Sequence, residues 1–368
     1  MYLKKFKTES VKIRQFLIKR GWLLAILMAL FIVIIGVGFG LENNKIVPVN
    51  PVHFVHYNAA PHNRLSFLSN WDGPNYLNIA KDGYTNSDQT NFFPLYPIII
   101  RGVNAVIGSL LTSALIISWV CLAGAIYFYL KIIKLYFKVN DNLEALKATL
   151  FFVLFPTGVF LLATYTESLF AFVSLGAIYY AMRRKYVLAG LLTMIATATH
   201  VNGVFLLVLI ALLLIEARQK LSHVLISFIV GSLGLVSYMV FLWVRYHNPF
   251  EFVSAQKAHG WLQHGLLAQT SGLNLLNIAF ALLILLAVIY WWKRSKSFSI
   301  YSLLYLLIPL AGGQFGGFPR YTLMVFPVEF MLYEYFRDKK FAYPLVIAVL
   351  GISWTYFLLQ YTGGYIGG

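Results

Sequence analysis

Long apolar runs separated by short polar interruptions make up most of the chain, and the interruptions predict where its helices begin and end. Residues 21–41 (GWLLAILMALFIVIIGVGFGL) are apolar on every face, the pattern of a helix surrounded by lipid or protein rather than water. Similar runs follow at 112–132, 148–182, 186–216, 224–243, 274–292, 299–336 and 341–361. Lys and Arg gather in six clusters: Lys4 to Arg20, Lys131 to Lys147, Arg183 to Lys185, Arg218 and Lys220, Lys293 to Lys296, and Arg337 to Lys340. Positive clusters favour the cytoplasmic side, so the chain between two clusters must cross an even number of times.

That parity gives an expected topology of eleven crossings. A basic cytoplasmic head, 1–20, precedes a first helix that leads outward, read as an uncleaved anchor because no Ala-x-Ala-like site follows it. A polar external loop, 42–111, comes next, and 112–132 returns the chain. Parity forbids 93–110 from crossing, and Pro94, Pro97 and Arg101 suit a helix lying in the outer interface. Hairpins at 148–182, 186–216 and 299–336 start and end inside. Segments 224–243 and 274–292 enclose a second external loop, 244–273, and the last helix leaves a short tail, 363–368, outside. One transmembrane domain, 21–362, is expected.

Two hairpins are too short for this membrane. The 35 residues of 148–182 rise about 52 Å and the 31 of 186–216 about 47 Å, against about 60 Å for two passes. Their tips, near Thr164–Glu167 and His200–Gly203, should therefore lie below the outer surface, with the third tip at Gly312–Arg320. Irregular polar chain at that depth must be buried in protein or line a watery cavity. An extracytoplasmic cavity formed by Thr164, Tyr165, Thr166, Glu167, His200 and Asn202 is the expectation.

Composition agrees with this all-α polytopic bundle. Only 11% of the 368 residues are charged and 60% are hydrophobic, with mean hydropathy +0.73, which excludes an ordinary soluble domain, a disordered chain and a disulfide scaffold. A net charge of +16 would point to nucleic acid in a soluble protein. Here 22 of the 29 cations sit in the six clusters, so the charge encodes topology and no nucleic-acid partner is expected. The single cysteine, Cys121, permits no intrachain disulfide, and no internal repeat of the kind that builds transporters is visible.

Thirteen carboxylates remain to be explained. Glu9, Asp141, Glu144, Glu216, Glu334 and Asp338 lie beside cytoplasmic clusters and read as solvated charges. Asp72, in SNWDGPNYLNIAKDGY, is set between Trp71 and the turn-forming Gly73-Pro74, where it can serve as a general base or simply cap the helix that starts near Pro74. Glu167 is an ionisable group inside an apolar hairpin, and such groups mark functional sites or structural hydrogen bonds between helices. His200 reads equally as a core histidine. His53, His56 and His62 lie near Asp72, yet the chain carries no metal-ligand motif, so neither a metal nor another cofactor is expected. Gly312-Gly313 and Gly316-Gly317 lack the Lys-Ser/Thr of a phosphate loop and read as a tight tip.

Three motifs carry a resemblance. The first is Trp71-Asp72-Gly73 with Tyr76, Ile79, Ala80, Gly83 and Tyr84, followed by Phe92 to Pro97; the second is Phe155-Pro156 with Ala163 to Phe170; the third is Phe318-Pro319-Arg320-Tyr321 with Phe326-Pro327. Together and in this order they resemble the phosphatidylinositol-glycan class V mannosyltransferase family (GPI mannosyltransferase 2-like), in its prokaryotic branch. The chain departs from that family where an arginine usually precedes an Asn-Gly pair and His200 stands instead.

The resemblance implies a GT-C glycosyltransferase fold, a prokaryotic cell membrane, an extracytoplasmic site, a polyprenyl-phosphate sugar donor and a catalytic acid in the first external loop. On that footing Asp72 is the expected base and Arg320, at a hairpin tip, the expected holder of the departing phosphate. Glu167, His200, Asn202, Tyr76 and Tyr321 are then expected around donor and acceptor, with Trp71 and Tyr165 stacking on sugar. The acceptor would be a lipid-linked or cell-envelope glycan. A transporter or lipid flippase using Glu167 and Glu329 as intramembrane charges is the competing reading, disfavoured by the long first loop.

Overall fold

A computed structural model of the chain describes residues 20–46, 64–258, 275–312 and 317–366. The three histidines of the first loop, most of the basic head and the centre of the second external loop lie outside the described residues. Fifteen helices and three 3-10 turns, with no strand, are found among the described residues. Four helices are long and apolar enough to cross a membrane: α1 (Gly21–Ile46), α4 (Leu110–Tyr136), α9 (Leu221–Tyr246) and α15 (Ala342–Thr362).

The first loop folds back on the bundle as short helices. Helix α2 (Gly73–Asp82) starts on Pro74, whose fixed φ suits a first turn, and stops at Gly83, whose φ of 78° few other residues tolerate. Helix α3 (Leu95–Ile107) ends the same way at Gly108. Its 13 residues rise about 20 Å, short of a core about 30 Å thick. Ser109 then caps α4 by accepting from the Thr112 N–H.

The hairpins are built from half-length helices. The first comprises α5 (Asn142–Val153) and α6 (Glu167–Met182), joined by an irregular stretch, 154–166, with a 3-10 turn at Gly158–Leu161. Asp141 caps α5 by accepting from the Leu143 N–H at 2.9 Å, so this helix begins ahead of the expected position 148. The second comprises α7 (Tyr186–Thr199) and α8 (Gly203–Glu216), broken only at 200–202. Each is 14 residues long, a rise of about 21 Å.

The stretch 299–336, expected to be one hairpin, is three helices: α12 (Lys296–Gly312), α13 (Phe318–Thr322) and α14 (Phe326–Phe336). Pro319 and Pro327 open α13 and α14, because a proline cannot donate within a helix but fits its first turn. The second loop contributes α10 (Glu251–Ala258), and α11 (Leu275–Trp291) leads back to α12.

Helix α7 lies along α9, α4 along α6 and α1, and α11 along α12. Between α7 and α9 the backbones approach closely: a Cβ at Gly234 would collide with the Met194 carbonyl oxygen, and Thr197 Oγ1 donates to the Gly231 carbonyl at 2.7 Å. The core beneath is rich in aromatic rings whose polar tips find partners, such as Trp291 Nε1 donating to the Pro327 carbonyl at 2.8 Å. At the opposite end, Asn43 Nδ2 donates to the Leu359 carbonyl and to Thr362 Oγ1, fastening α1 to α15 beside the first loop.

Candidate active site

Three chain segments far apart in sequence meet where the hairpin tips converge. The 3-10 turn Ser66–Leu68 and the residues after it are laid across the tip of the first hairpin. Thr164 donates from its N–H to the Leu68 carbonyl at 2.9 Å and from its hydroxyl to Ser69 Oγ at 2.8 Å. Asn70 is held from the other side, its Nδ2 donating to the Tyr361 carbonyl at 2.8 Å and its N–H to the Tyr361 hydroxyl at 3.2 Å. Gly73 closes the joint, because any Cβ there would strike the Thr164 and Ser69 hydroxyls.

This clamp sets the conformation of the two residues between. Trp71 takes φ of 56°, a left-handed value uncommon for a side chain of its size. Asp72 follows, its N–H donating to the Tyr165 hydroxyl at 3.1 Å while that hydroxyl donates to the Asn70 carbonyl at 3.0 Å. Asp72 occupies the cap position of α2, yet its carboxylate makes no capping hydrogen bond. The capping alternative is therefore corrected: the backbone carbonyl of Asp72 starts the helix, and the side chain turns toward Arg320.

Arg320 joins the carboxylates. Its Nη1 donates to Asp72 Oδ2 at 2.6 Å, and its Nε lies 3.1 Å from Glu167 Oε1, a charge contact without hydrogen-bond alignment. Glu167, the first residue of α6, keeps Oε2 buried and without a hydrogen-bond partner. The guanidinium carbon also stands 5.0 Å from the Tyr321 ring centre, 5.3 Å from that of Tyr165 and 5.6 Å from that of Phe160.

Exposure distinguishes the members. The side chains of Arg320 and Glu167 are 8% and 5% exposed, whereas that of Asp72 is 26% exposed. Asp72 is thus the most exposed of the three, and Oδ1 is its oxygen not held by Arg320. A carboxylate with one oxygen fixed by a charged donor can accept a proton at the other in a defined direction.

The remaining expected residues fall into two groups. His200 sits at the edge of the cluster, its ring 5.8 Å from Tyr321 and 5.7 Å from Phe170, with Nδ1 accepting from the Asn202 N–H at 3.1 Å. Asn202 is buried at the start of α8. Tyr76 and Tyr165, in contrast, are packed behind the cluster. Tyr165 is wholly buried against Phe160 and Tyr361, so the expectation that it stacks on sugar is corrected: its ring has no open face, and it supports the Asp72 backbone instead.

Tyr76 packs edge-on against Phe92 and Tyr96. Burial, followed by the nearby Glu167 and Asp72 charges, holds its hydroxyl well above the usual phenol range, so it stays protonated. Trp71 and Tyr321 are half-buried. Sequence reasoning missed Ser69, Asn70, Phe160 and Tyr361 altogether, and among 24 tyrosines nothing local singles out Tyr361. Among the described residues no group of three His, Cys, Asp or Glu gathers as metal ligands, and Asp72 and Glu167 are bridged by Arg320.

Comparison with known proteins agrees with the sequence motifs. A family model described as Mannosyltransferase (PIG-V) matches residues 12–257, which include Asp72, Glu167 and His200 but not Arg320. GPI mannosyltransferase 2 of Drosophila pseudoobscura pseudoobscura is 32% identical over 129 residues, 33% of this chain and 28% of the relative. GPI alpha-1,6-mannosyltransferase 2 of Cricetulus griseus is 33% identical over 150 residues, 38% of this chain and 30% of the relative. The human protein of that name is 31% identical over a stretch of the same length. The matched stretch thus spans less than a third of these relatives. With two thirds of its length matched by the family model, the chain belongs to the Mannosyltransferase (PIG-V) family.

Proposed function

We propose that the protein is an inverting membrane mannosyltransferase of GT-C type. It transfers mannose from a polyprenyl-phosphate donor to a lipid-linked or cell-envelope glycan at the extracytoplasmic face of a membrane crossed eleven times. The observation that carries this reading is the Asp72 carboxylate, which does not cap its helix and is held through Oδ2 by Arg320 at 2.6 Å while its side chain keeps 26% exposure. Family membership supports mannose as the sugar, and the long first loop that delivers Asp72 supports an enzyme over a transporter.

The step follows from the cluster. An acceptor hydroxyl approaches C1 of the donor sugar from the face opposite the phosphate and passes its proton to Asp72 Oδ1. As the acceptor oxygen bonds to C1, the bond from C1 to the phosphate oxygen breaks, and its electron pair leaves with polyprenyl phosphate. Arg320 fixes Asp72 through Nη1 and offers Nη2 to the phosphate as charge develops there. Because phosphate is already a good leaving group, no general acid is required. Glu167 accepts hydrogen bonds from sugar hydroxyls through Oε2, which no hydrogen bond within the protein engages.

The reading is tested by supplying purified protein with mannose on polyprenyl phosphate or on a nucleotide, and by reading the anomeric configuration of the product. Transfer from the lipid phosphate alone, with inversion, is the expected result. Transfer from the nucleotide, or retention at C1, would refute the assignment.

A further inference from the structure

Helices α1 and α4 lie along each other, and a groove of about 590 Å³ is left open between them. Small residues keep it open: Ala29, Ala123 and Gly124 line it where larger side chains would fill it. Gly124 has to stay small, because a Cβ there would collide with the Phe172 ring. Trp22, Trp119 and Tyr127 complete the walls, and Trp119 is fixed by its indole N–H, which donates to the Leu162 carbonyl at 3.0 Å.

The groove has the length of one lipid leaflet. Its lining runs from Trp22 to Val33 on α1 and from Ile116 to Tyr127 on α4, residues eleven apart on each helix. That is a rise of about 16 Å, against a hydrocarbon core about 30 Å thick. Trp22, Leu30 and Val120 are exposed beside it, as residues facing lipid are.

Its two ends differ in charge. The start of α1 sits beside the end of α4, since Gly21 lies against the Asn142 side chain, to which Lys134 Nζ donates at 2.7 Å. At this end, one turn beyond Tyr127, the Lys131 ammonium stands 5.3 Å from the centre of that ring. Among the described residues it takes part in neither an ion pair nor a side-chain hydrogen bond. The carboxylates of the turn that follows are engaged, Asp141 in capping α5 and Glu144 with Lys147 at 2.7 Å. Arg20 adds positive charge at the start of α1. The other end, at Val33 and Ile116, is apolar.

We propose that this groove binds one anionic phospholipid from the leaflet on the side of the basic clusters. An acyl chain fills the groove, and the headgroup phosphate sits at Lys131, at the level of the interfacial rings of Trp22 and Tyr127. An unpaired ammonium at the polar end of an apolar groove of leaflet length complements a lipid of negative headgroup. The tail of the proposed sugar donor does not match it, because a phosphate at Arg320 lies on the side of the first loop and leaves Lys131 without a counter-charge. The groove is separate from the Asp72 cluster, so the proposal stands independently of the transferase reading.

The test uses the full chain in detergent, with dioleoyl phosphatidylglycerol and dioleoyl phosphatidylcholine as probes of equal tails and unequal charge. In native mass spectrometry one phosphatidylglycerol should bind in preference to phosphatidylcholine. Lys131→Gln should cut that preference about fivefold, the usual worth of one lysine beside an anionic headgroup. Lys296→Gln, at an exposed position in another basic cluster, should leave it unchanged. Ala123→Phe fills the groove and should lower the occupancy of both lipids, with thermal unfolding reporting that the variant is folded.

Equal binding of the two lipids by the wild type would overturn the proposal. Equal losses in Lys131→Gln and Lys296→Gln would do so too, marking a general attraction to positive surface. Displacement of phosphatidylglycerol one for one by a polyprenyl phosphate would make the groove a donor site instead, and undiminished binding by a folded Ala123→Phe would place the lipid elsewhere. If Ala123→Phe fails to fold, the comparison of the two lysines decides.

Discussion

Arg320 is shared between two carboxylates, and substitutions of the three residues should separate by step. Arg320→Lys keeps the charge but loses the planar fork that reaches Asp72 through Nη1 and Glu167 through Nε, so donor affinity should fall about tenfold in a binding assay. Removing the charge altogether, as in Arg320→Ala, leaves Glu167 buried without compensation, and the drop in unfolding free energy should be about 3–5 kcal/mol. Glu167→Gln should leave donor affinity within a few-fold while depressing transfer. Glu329 offers a contrast, since it is fully buried in α14 with neither carboxylate oxygen hydrogen-bonded. Glu329→Gln should leave transfer intact and change Tm little, because the amide has the same size and no hydrogen bond is lost; loss of lipid translocation in that variant, with no transfer in the parent, would restore the flippase reading. Asp72, Glu167 and Arg320 were legible because few charges remain once the six basic clusters and their neighbouring carboxylates are set aside. The supporting role of Tyr165 was not, since a buried tyrosine and one that stacks on sugar look alike in a chain so rich in aromatics.

Helix length explains how the site comes to lie at a junction of tips. Half-length α7 and α8, and the irregular residues between α5 and α6, bring their ends together, and the first loop packs onto the first of these tips through hydrogen bonds from Thr164 and Tyr165 and from Asn70 to Tyr361. This joint tolerates no added volume: Gly73→Ala should lower both transfer and Tm, because its methyl meets two hydroxyls that are bonded to each other at 2.8 Å. Thr164→Ala combined with Gly73→Ala should recover part of the stability by removing one of those hydroxyls, read by thermal unfolding. The half-length of α7 and α8 followed from counting residues against membrane thickness. The division of 299–336 into three helices did not, although Pro319 and Pro327 mark both later starts, because a proline in an apolar run signals a kink as readily as a new helix. Contacts such as Tyr361 to Asn70, 291 positions apart, leave no local pattern to read.

For the whole molecule, the parity of basic clusters predicts one orientation. Cysteines introduced as Asp88→Cys and Ala258→Cys, in a background where the sole native cysteine, Cys121, is buried, should react with an impermeant thiol reagent added outside intact cells. Arg184→Cys should react only after permeabilisation, and the opposite pattern would invert the proposed topology. Orientation and chemistry meet at Asp72, so the most direct measurement is mannosyl transfer by purified wild-type protein and by Asp72→Asn, using a radiolabelled polyprenyl-phosphate mannose donor. Asparagine keeps the size of the side chain but takes away its basicity, and the account predicts transfer lowered at least about a hundredfold, the usual range for losing a general base, with donor binding and thermal unfolding largely kept. Turnover by Asp72→Asn within a few-fold of wild type, with the protein folded and donor bound, would contradict the role assigned to Asp72 and with it the mechanism.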